Sequence, residues 1–403
     1  MRELMIMLTA GLVAVACGDN NHVRPSDANV AIDAAPDTPP DACMPISGRP
    51  ALAGLTTGDL VIDVTQATNT APIAVPLDRS VLFVSMNEVE PSPKFGAVIC
   101  ELHDVDVPVL GAPAGVTCSR SDIGTDDPNS TGAIHVHWTV ATFSSGVSVQ
   151  RGEVDTTTTN PSVVTLAPPV NPAHSFVLLG GQLNGGTGWG NNEFVRARLL
   201  DSATLDLRTN LMGTHAAWQL VTFEGANVQR GTAALTTTDT TQHVTTTAAD
   251  PGSLVLTSYS ADNVSGIAAA ALMLRASMTD ATTLSLDRGL GGAGLDVSWE
   301  VATLPFEAHS GITTFAVGEL SKSVAVMGTT PTNSVALASN QAVLGEASGS
   351  TDYAGADLDL LGEAAATLTP TAGGVTIERA SGQSTATIAW TVIDFSMDHC
   401  AGL

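Results

Sequence analysis

Apolar and polar residues alternate one by one along much of this chain, in short runs broken by glycine, proline or threonine-rich turns. Period-two alternation marks strands that bury one face. The clearest runs surround four tryptophans, Trp138, Trp218, Trp299 and Trp390, which recur at intervals of 80, 81 and 91 residues. The copies read Val136-His137-Trp138-Thr139-Val140-Ala141-Thr142-Phe143, Ala216-Ala217-Trp218-Gln219-Leu220-Val221-Thr222-Phe223, Val297-Ser298-Trp299-Glu300-Val301-Ala302-Thr303-Leu304 and Ile388-Ala389-Trp390-Thr391-Val392-Ile393-Asp394-Phe395. In the first copy Val136, Trp138 and Val140 share one face, while His135, His137 and Thr139 share the other. The tryptophan is therefore expected to anchor a core, with the opposite face in water.

Further strands precede each tryptophan. One ends near an arginine: Arg120, Arg208, Arg288 and Arg379. Another reads Val195-Arg196-Ala197-Arg198-Leu199 in the second copy and Leu274-Arg275-Ala276-Ser277-Met278 in the third. Units open on phrases such as Val149-Gln150-Arg151-Gly152 and Val228-Gln229-Arg230-Gly231. About six strands fit each period, the spacing of an all-β sandwich. The expected fold is all-β: a tandem array of four antiparallel six-stranded β-sandwich modules over 50–143, 144–223, 224–304 and 305–403. Composition agrees, since aromatics are only 4% and the 38 glycines and 21 prolines supply frequent turns.

The order of these phrases resembles the H-type lectins, small six-stranded sandwiches first known as snail agglutinins. The matching phrases in the second unit are Val149-Gln150-Arg151-Gly152, the Phe176–Leu179 strand, Arg196–Leu199 and the Trp218 strand. The resemblance covers nearly all of 50–395 and implies a carbohydrate-binding fold. That family binds sugar through an arginine in the Arg-Leu strand, and Arg198 holds the matching place. The third unit has Ser277 there and the first has Glu101. The family's Trp-His pair has no counterpart beside Arg120, Arg208 or Arg288.

The N-terminus reads as a targeting segment. Arg2 precedes an apolar run from Leu4 to Ala16, shorter than the roughly 20 residues a spanning helix needs. It resembles a bacterial lipoprotein signal peptide over 1–16, which implies lipidation of Cys17, a membrane anchor and sorting to the outer membrane. A plain secretory signal is the alternative. Residues 17–49 are rich in Pro, Asp and Ala and read as a disordered tether. Four further cysteines, Cys43, Cys100, Cys118 and Cys400, suggest two disulfides in an exported chain. The favoured pairs are Cys100–Cys118, on successive strands, and Cys43–Cys400.

Net charge is −25 with two lysines, Lys94 and Lys322, which excludes a basic nucleic-acid face. Cations or neutral polar ligands are the compatible partners. Trp189, the tryptophan outside the period, lies in a glycine-rich loop with Asn191 and Asn192, a chemistry suited to sugar. The equivalent loop of the third unit holds Tyr259 and Asn263. His135 and His137 could be metal ligands but lack a visible third. Asp104/Asp106, Asp126/Asp127 and Asp357/Asp359 could hold calcium, although none forms a recognisable loop motif. No cofactor is expected, and no catalytic motif is present. The expectation is a non-catalytic, membrane-tethered protein of the bacterial cell envelope that recognises glycans or surface proteins. The alternative is a structural envelope lipoprotein with no small-molecule ligand.

Overall fold

The computed structural model describes residues 50–87, 97–103, 114–120, 132–156, 160–184, 194–210, 214–250, 252–262, 269–339, 345–347 and 364–398. Cys17, Cys43, Cys400, Trp189, Asn191, Asn192, Asn263 and the three aspartate pairs lie outside these residues, as do the leader and tether. The chain divides into Met1–Met44 and one compact unit, Pro45–Leu403. Among the described residues no helix is long and apolar enough to cross a membrane.

The compact unit is all-β. The first tryptophan repeat forms β1 (Ala51–Ile62), β2 (Thr68–Pro72), β3 (Ser80–Asn87), β4 (Val98–His103), β5 (Gly115–Arg120) and β6 (Ile134–Ser145). The second forms β7 (Val147–Asp155), β8 (Ser162–Thr165), β9 (Ser175–Asn184), β10 (Arg196–Asp201), β11 (Thr204–Arg208) and β12 (Thr214–Phe223). The third forms β13 (Asn227–Leu235), β14 (Thr241–Thr245), β15 (Leu254–Ala261), β16 (Arg275–Asp280), β17 (Thr283–Asp287) and β18 (Leu295–Thr303). The last forms β19 (Phe306–Phe315), β20 (Ser321–Ala325), β21 (Ser334–Ala338), β22 (Gly345–Ala347), β23 (Ala366–Thr371), β24 (Gly374–Arg379) and β25 (Ala386–Asp398).

These strands make several small antiparallel sheets with a recurring order. The tryptophan strand is central in β1-β6-β3, β7-β12-β9, β13-β18-β15 and β19-β25-β21. The remaining strands pair as β2-β5-β4, β8-β11-β10, β14-β17-β16 and β20-β24-β23. Two features depart from the repeat. The short β22 also pairs with β25, and a bridge at Ile99–Gly181 joins β4 to β9, fusing two sheets into one of six strands.

Each tryptophan packs in an apolar cluster with residues of both sheets of its own repeat, as its alternation predicts. Its indole lies against the glycine of the opening strand. Gly58, Gly152, Gly231 and Gly311 stand opposite Trp138, Trp218, Trp299 and Trp390 in register. A Cβ at Gly231 would sit 2.5 Å from Trp299. The glycine of each opening phrase is thus a seat for an indole. The predicted Cys100–Cys118 disulfide is present, joining directly opposed residues of β4 and β5.

The opposite face of the tryptophan strand is not in water, and here the alternation misleads. His137, Thr139, Gln219, Glu300 and Thr391 are all buried. They face the neighbouring repeat because the repeats close into a ring. Gln219 exchanges two hydrogen bonds with the backbone of Leu82, at 3.0 and 2.8 Å. Glu300 accepts from the Val177 backbone N–H at 2.7 Å. The Thr257 N–H donates to the Ser339 carbonyl at 2.8 Å. The ring is completed where the Leu368 N–H donates to Ser85 Oγ at 2.9 Å, tying the last repeat to the first.

Further along the same face the residues turn apolar and meet at a shared hub. Phe143, Phe223, Leu304 and Phe395 lie five residues after their tryptophans and form one cluster with Phe306. Phe143 packs edge-on against Phe223 and Phe395, with centroids at 5.2 and 5.4 Å. Phe306 packs edge-on against Phe395 at 5.1 Å. Edge-to-face rings at these spacings add to the burial energy itself.

The arginines at the ends of the fifth strands are clamps. Buried Arg288 donates to four carbonyl oxygens, those of Asp239, Thr236, Ala271 and Ala293. Arg120 and Arg379 hold the corresponding turns through Gln66 and Asp63, and through Glu319 and Ala316. In the second repeat the equivalent residue is Thr209, bonded to Asn160, and not the half-exposed Arg208. The alignment by arginine alone slips there by one residue.

Candidate functional site

The ring has four seams, and they are not alike. In three of them a serine on or just after the third strand of one repeat stitches to β10, β16 or β23 of the preceding one. Ser258 Oγ bonds the backbone of Ala197, Ser339 Oγ accepts from the Ala276 N–H, and Ser85 Oγ accepts from Leu368. In the seam between the first and second repeats the matching position is Gly180. A Cβ there would collide with the Cys100 carbonyl oxygen, so backbone meets backbone directly. Gly181 beside it holds φ at +120°, a conformation glycine tolerates, and the β9–β12 register shifts at this point.

Beside this irregularity lies a cavity of about 450 Å³. The pockets at the third–fourth and second–third seams measure about 60 and 20 Å³. Ligand sites for small molecules occupy roughly 300–1,000 Å³, so the first–second seam alone of these three is large enough. From β4 come Glu101, Leu102 and His103; from β7 come Arg151, Gly152 and Glu153; from β12 come Ala217, Trp218 and Gln219. Period two explains the selection on β4. Cys100 and Leu102 point into the first repeat's core, while Glu101 and His103 point out to the seam.

The polar groups perturb one another. Burial, followed by the hydrogen bond and the charge of Glu153, pushes the Glu101 carboxyl up to about 9. At neutral pH the Glu101 carboxyl therefore keeps its proton beside Glu153. His103 Nε2 lies 3.4 Å from Glu101 Oε2. Burial holds its imidazole below the usual range, against the pull of Glu153. Arg151 donates to the carbonyls of Leu77 and Ser80 at 2.8 and 2.5 Å. Burial lowers its guanidinium to about 10. The cavity thus offers a paired acid, a neutral imidazole and an apolar wall of Leu77 and Trp218. It can donate and accept hydrogen bonds at once, as a hydroxyl-rich ligand requires.

The other seams place different residues at these positions. Glu101 corresponds to Arg198, Ser277 and Thr369, and Glu153 to Asp59, Thr232 and Ile312. Arg198, the residue matched to the family's sugar-binding arginine, is exposed on β10, where its own seam has the pocket of about 20 Å³. Tyr259 corrects an expectation: it is only 1% exposed and stacks on Phe194 at 5.1 Å, so it fills core and reaches no surface ligand. Its place on β15 faces inward, which loop-by-loop matching did not reveal.

His135 and His137 do not form a metal pair. His137 is buried, with Nδ1 2.8 Å from Asp59 and Nε2 3.3 Å from Thr57, whereas His135 is exposed. No group of three or more metal-binding side chains converges among the described residues. Reading the sequence named Glu101 but missed Glu153, His103 and Arg151 as its companions. The available signal was Glu153, an acid directly after a structural glycine, at a position that changes character from copy to copy. No family model matches the chain, and no curated protein matches it.

Proposed function

We propose that this chain is a non-catalytic, membrane-tethered binding protein of the bacterial envelope. Each tryptophan repeat is one six-stranded lectin-like sandwich, and four of them close into a ring. The ring holds a glycan in the cleft between its first and second modules. The observation that carries this reading is the cavity of about 450 Å³ lined by Glu101, His103, Arg151, Glu153 and Trp218. Its size, its mixed donors and acceptors and its apolar wall suit a sugar ring. The leader and tether read from the sequence supply the anchor through Cys17, at the outer membrane. The loop holding Trp189, Asn191 and Asn192 is a second candidate contact on the same chemistry.

A glycan array probed with the full chain tests the proposal. Binding to at least one glycan class is expected, with the signal lost in both Glu101→Leu and Glu153→Leu. If no glycan binds, or binding survives both substitutions, the cavity is not the site. A structural envelope protein would then be the better reading.

A further inference from the structure

Two acids converge on the cavity from two different modules, Glu101 on β4 and Glu153 on β7. The cavity's other charged groups do not neutralise them. Arg151 directs its terminal nitrogens at the Leu77 and Ser80 carbonyls. His103 is held towards its neutral form. Asp78, on the turn Leu77–Arg79, adds a further negative charge near Arg151. The fold does not demand this pairing, because the equivalent positions at the other seams are Arg198 with Thr232, Ser277 with Ile312, and Thr369 with Asp59. Holding two carboxyls together is unfavourable unless a proton or a cation lies between them.

We infer that the cavity takes a sugar bearing a free primary ammonium, which lies between Glu101 of one module and Glu153 of the next. This rests on the cavity being the glycan site and narrows the class of glycan. An ammonium has three donors and no acceptor, so it can bond both carboxylates at once through charge-assisted contacts. An N-acetylated amine has one donor and no charge. It also turns a carbonyl oxygen towards acids that have no second proton to give. On binding, the Glu101 proton passes to solvent, the ammonium keeps its own protons, and no covalent bond changes.

Titration calorimetry on the full chain tests this, with methyl glucosaminide and methyl N-acetylglucosaminide as probes. At about pH 6 an amine of ordinary pKa is charged. Two buffers of different ionisation enthalpy then report the protons exchanged. The amine-bearing sugar should bind about tenfold more tightly, the worth of one charge-assisted bond. It should release up to about one proton per site. Glu153→Gln should bring the two sugars level while the chain still unfolds in one cooperative transition. Equal binding of the two sugars with no proton exchange would overturn the inference and leave the cavity a sugar site. Failure of both to bind would overturn the inference and the site together. Acetyl-lysinamide, an ammonium without the ring, should bind far more weakly; equal binding would remove the sugar from the inference.

Discussion

The seam between the first and second repeats and the seam between the second and third use the same fold positions for opposite ends. At the second–third seam an acid is buried and fully matched. Glu300 accepts from the Val177 N–H at 2.7 Å and pairs with Arg230 at 3.2 Å, while Arg230 also donates to the Ser175 carbonyl. Burial raises the Glu300 carboxyl, and Arg230 and the Val177 N–H oppose that rise. Ser258 then stitches the strands to Ala197, and about 20 Å³ is left. At the first–second seam the bridging residue is neutral Gln219, and Arg151 turns to backbone carbonyls. The stitching serine is replaced by Gly180, and an acid is set beside another acid in open space. One seam uses its charge for cohesion, and the other sets two acids around a cavity of about 450 Å³. A ring held firmly by its hub and its other seams can tolerate one open seam.

That contrast can be broken from either side. The largest effect should come from the hub that all four repeats share. Phe143→Ala removes the ring that packs against Phe223, Phe306 and Phe395, and should destabilise by about 3–5 kcal/mol. Chemical denaturation should still show one transition; separate transitions for separate repeats would mean the hub is incidental. Glu300→Ala takes the carboxylate from the half-buried Arg230 and strands a buried N–H, so a loss of about 3 kcal/mol is expected. Glu153→Ala at the open seam should change stability far less. Equal losses at the two seams would erase the distinction drawn between them.

Gly231→Ala forces a methyl group into the Trp299 indole and should destabilise by about 1–3 kcal/mol, measured by the same denaturation. An unchanged midpoint would show that the opening-strand glycines are not seats for the tryptophans. A separate prediction concerns pH. The Glu101 carboxyl lies at about 9 in the folded chain against its ordinary 4.5. The folded state therefore holds an extra proton between those values, and stability falls as pH rises from about 4.5 towards 9. Glu101→Gln should flatten the decline across that window, and a decline of unchanged slope would place its origin elsewhere.

Much of the fold was legible in the chain. The tryptophan period predicted one core per repeat, and alternation placed Val136, Trp138 and Val140 inward, as found. Cys100 and Cys118 were paired correctly because both lie on adjacent strands. The other face was misread because alternation reports only that two faces differ. It cannot tell water from a neighbouring repeat. The clue was at hand, since that face turns from His137 and Thr139 to Ala141 and Phe143 along one strand. The site was harder to see. Glu101 and Glu153 lie 52 residues apart in different repeats and meet only because the ring closes. Tyr259 was misplaced because an aromatic at the end of a strand looks the same in sequence whether it faces a loop or a core.

Amide hydrogen exchange on the full chain, with and without a sugar that binds it, tests the central claim most directly. The claim is that the open seam is the ligand site and the closed seams are scaffold. Bound sugar should slow exchange in β4 (Val98–His103) and β7 (Val147–Asp155), and leave the equivalent strands β16 (Arg275–Asp280) and β19 (Phe306–Phe315) unchanged. Protection confined to 185–193, around Trp189, with β4 and β7 unaffected, would contradict the account.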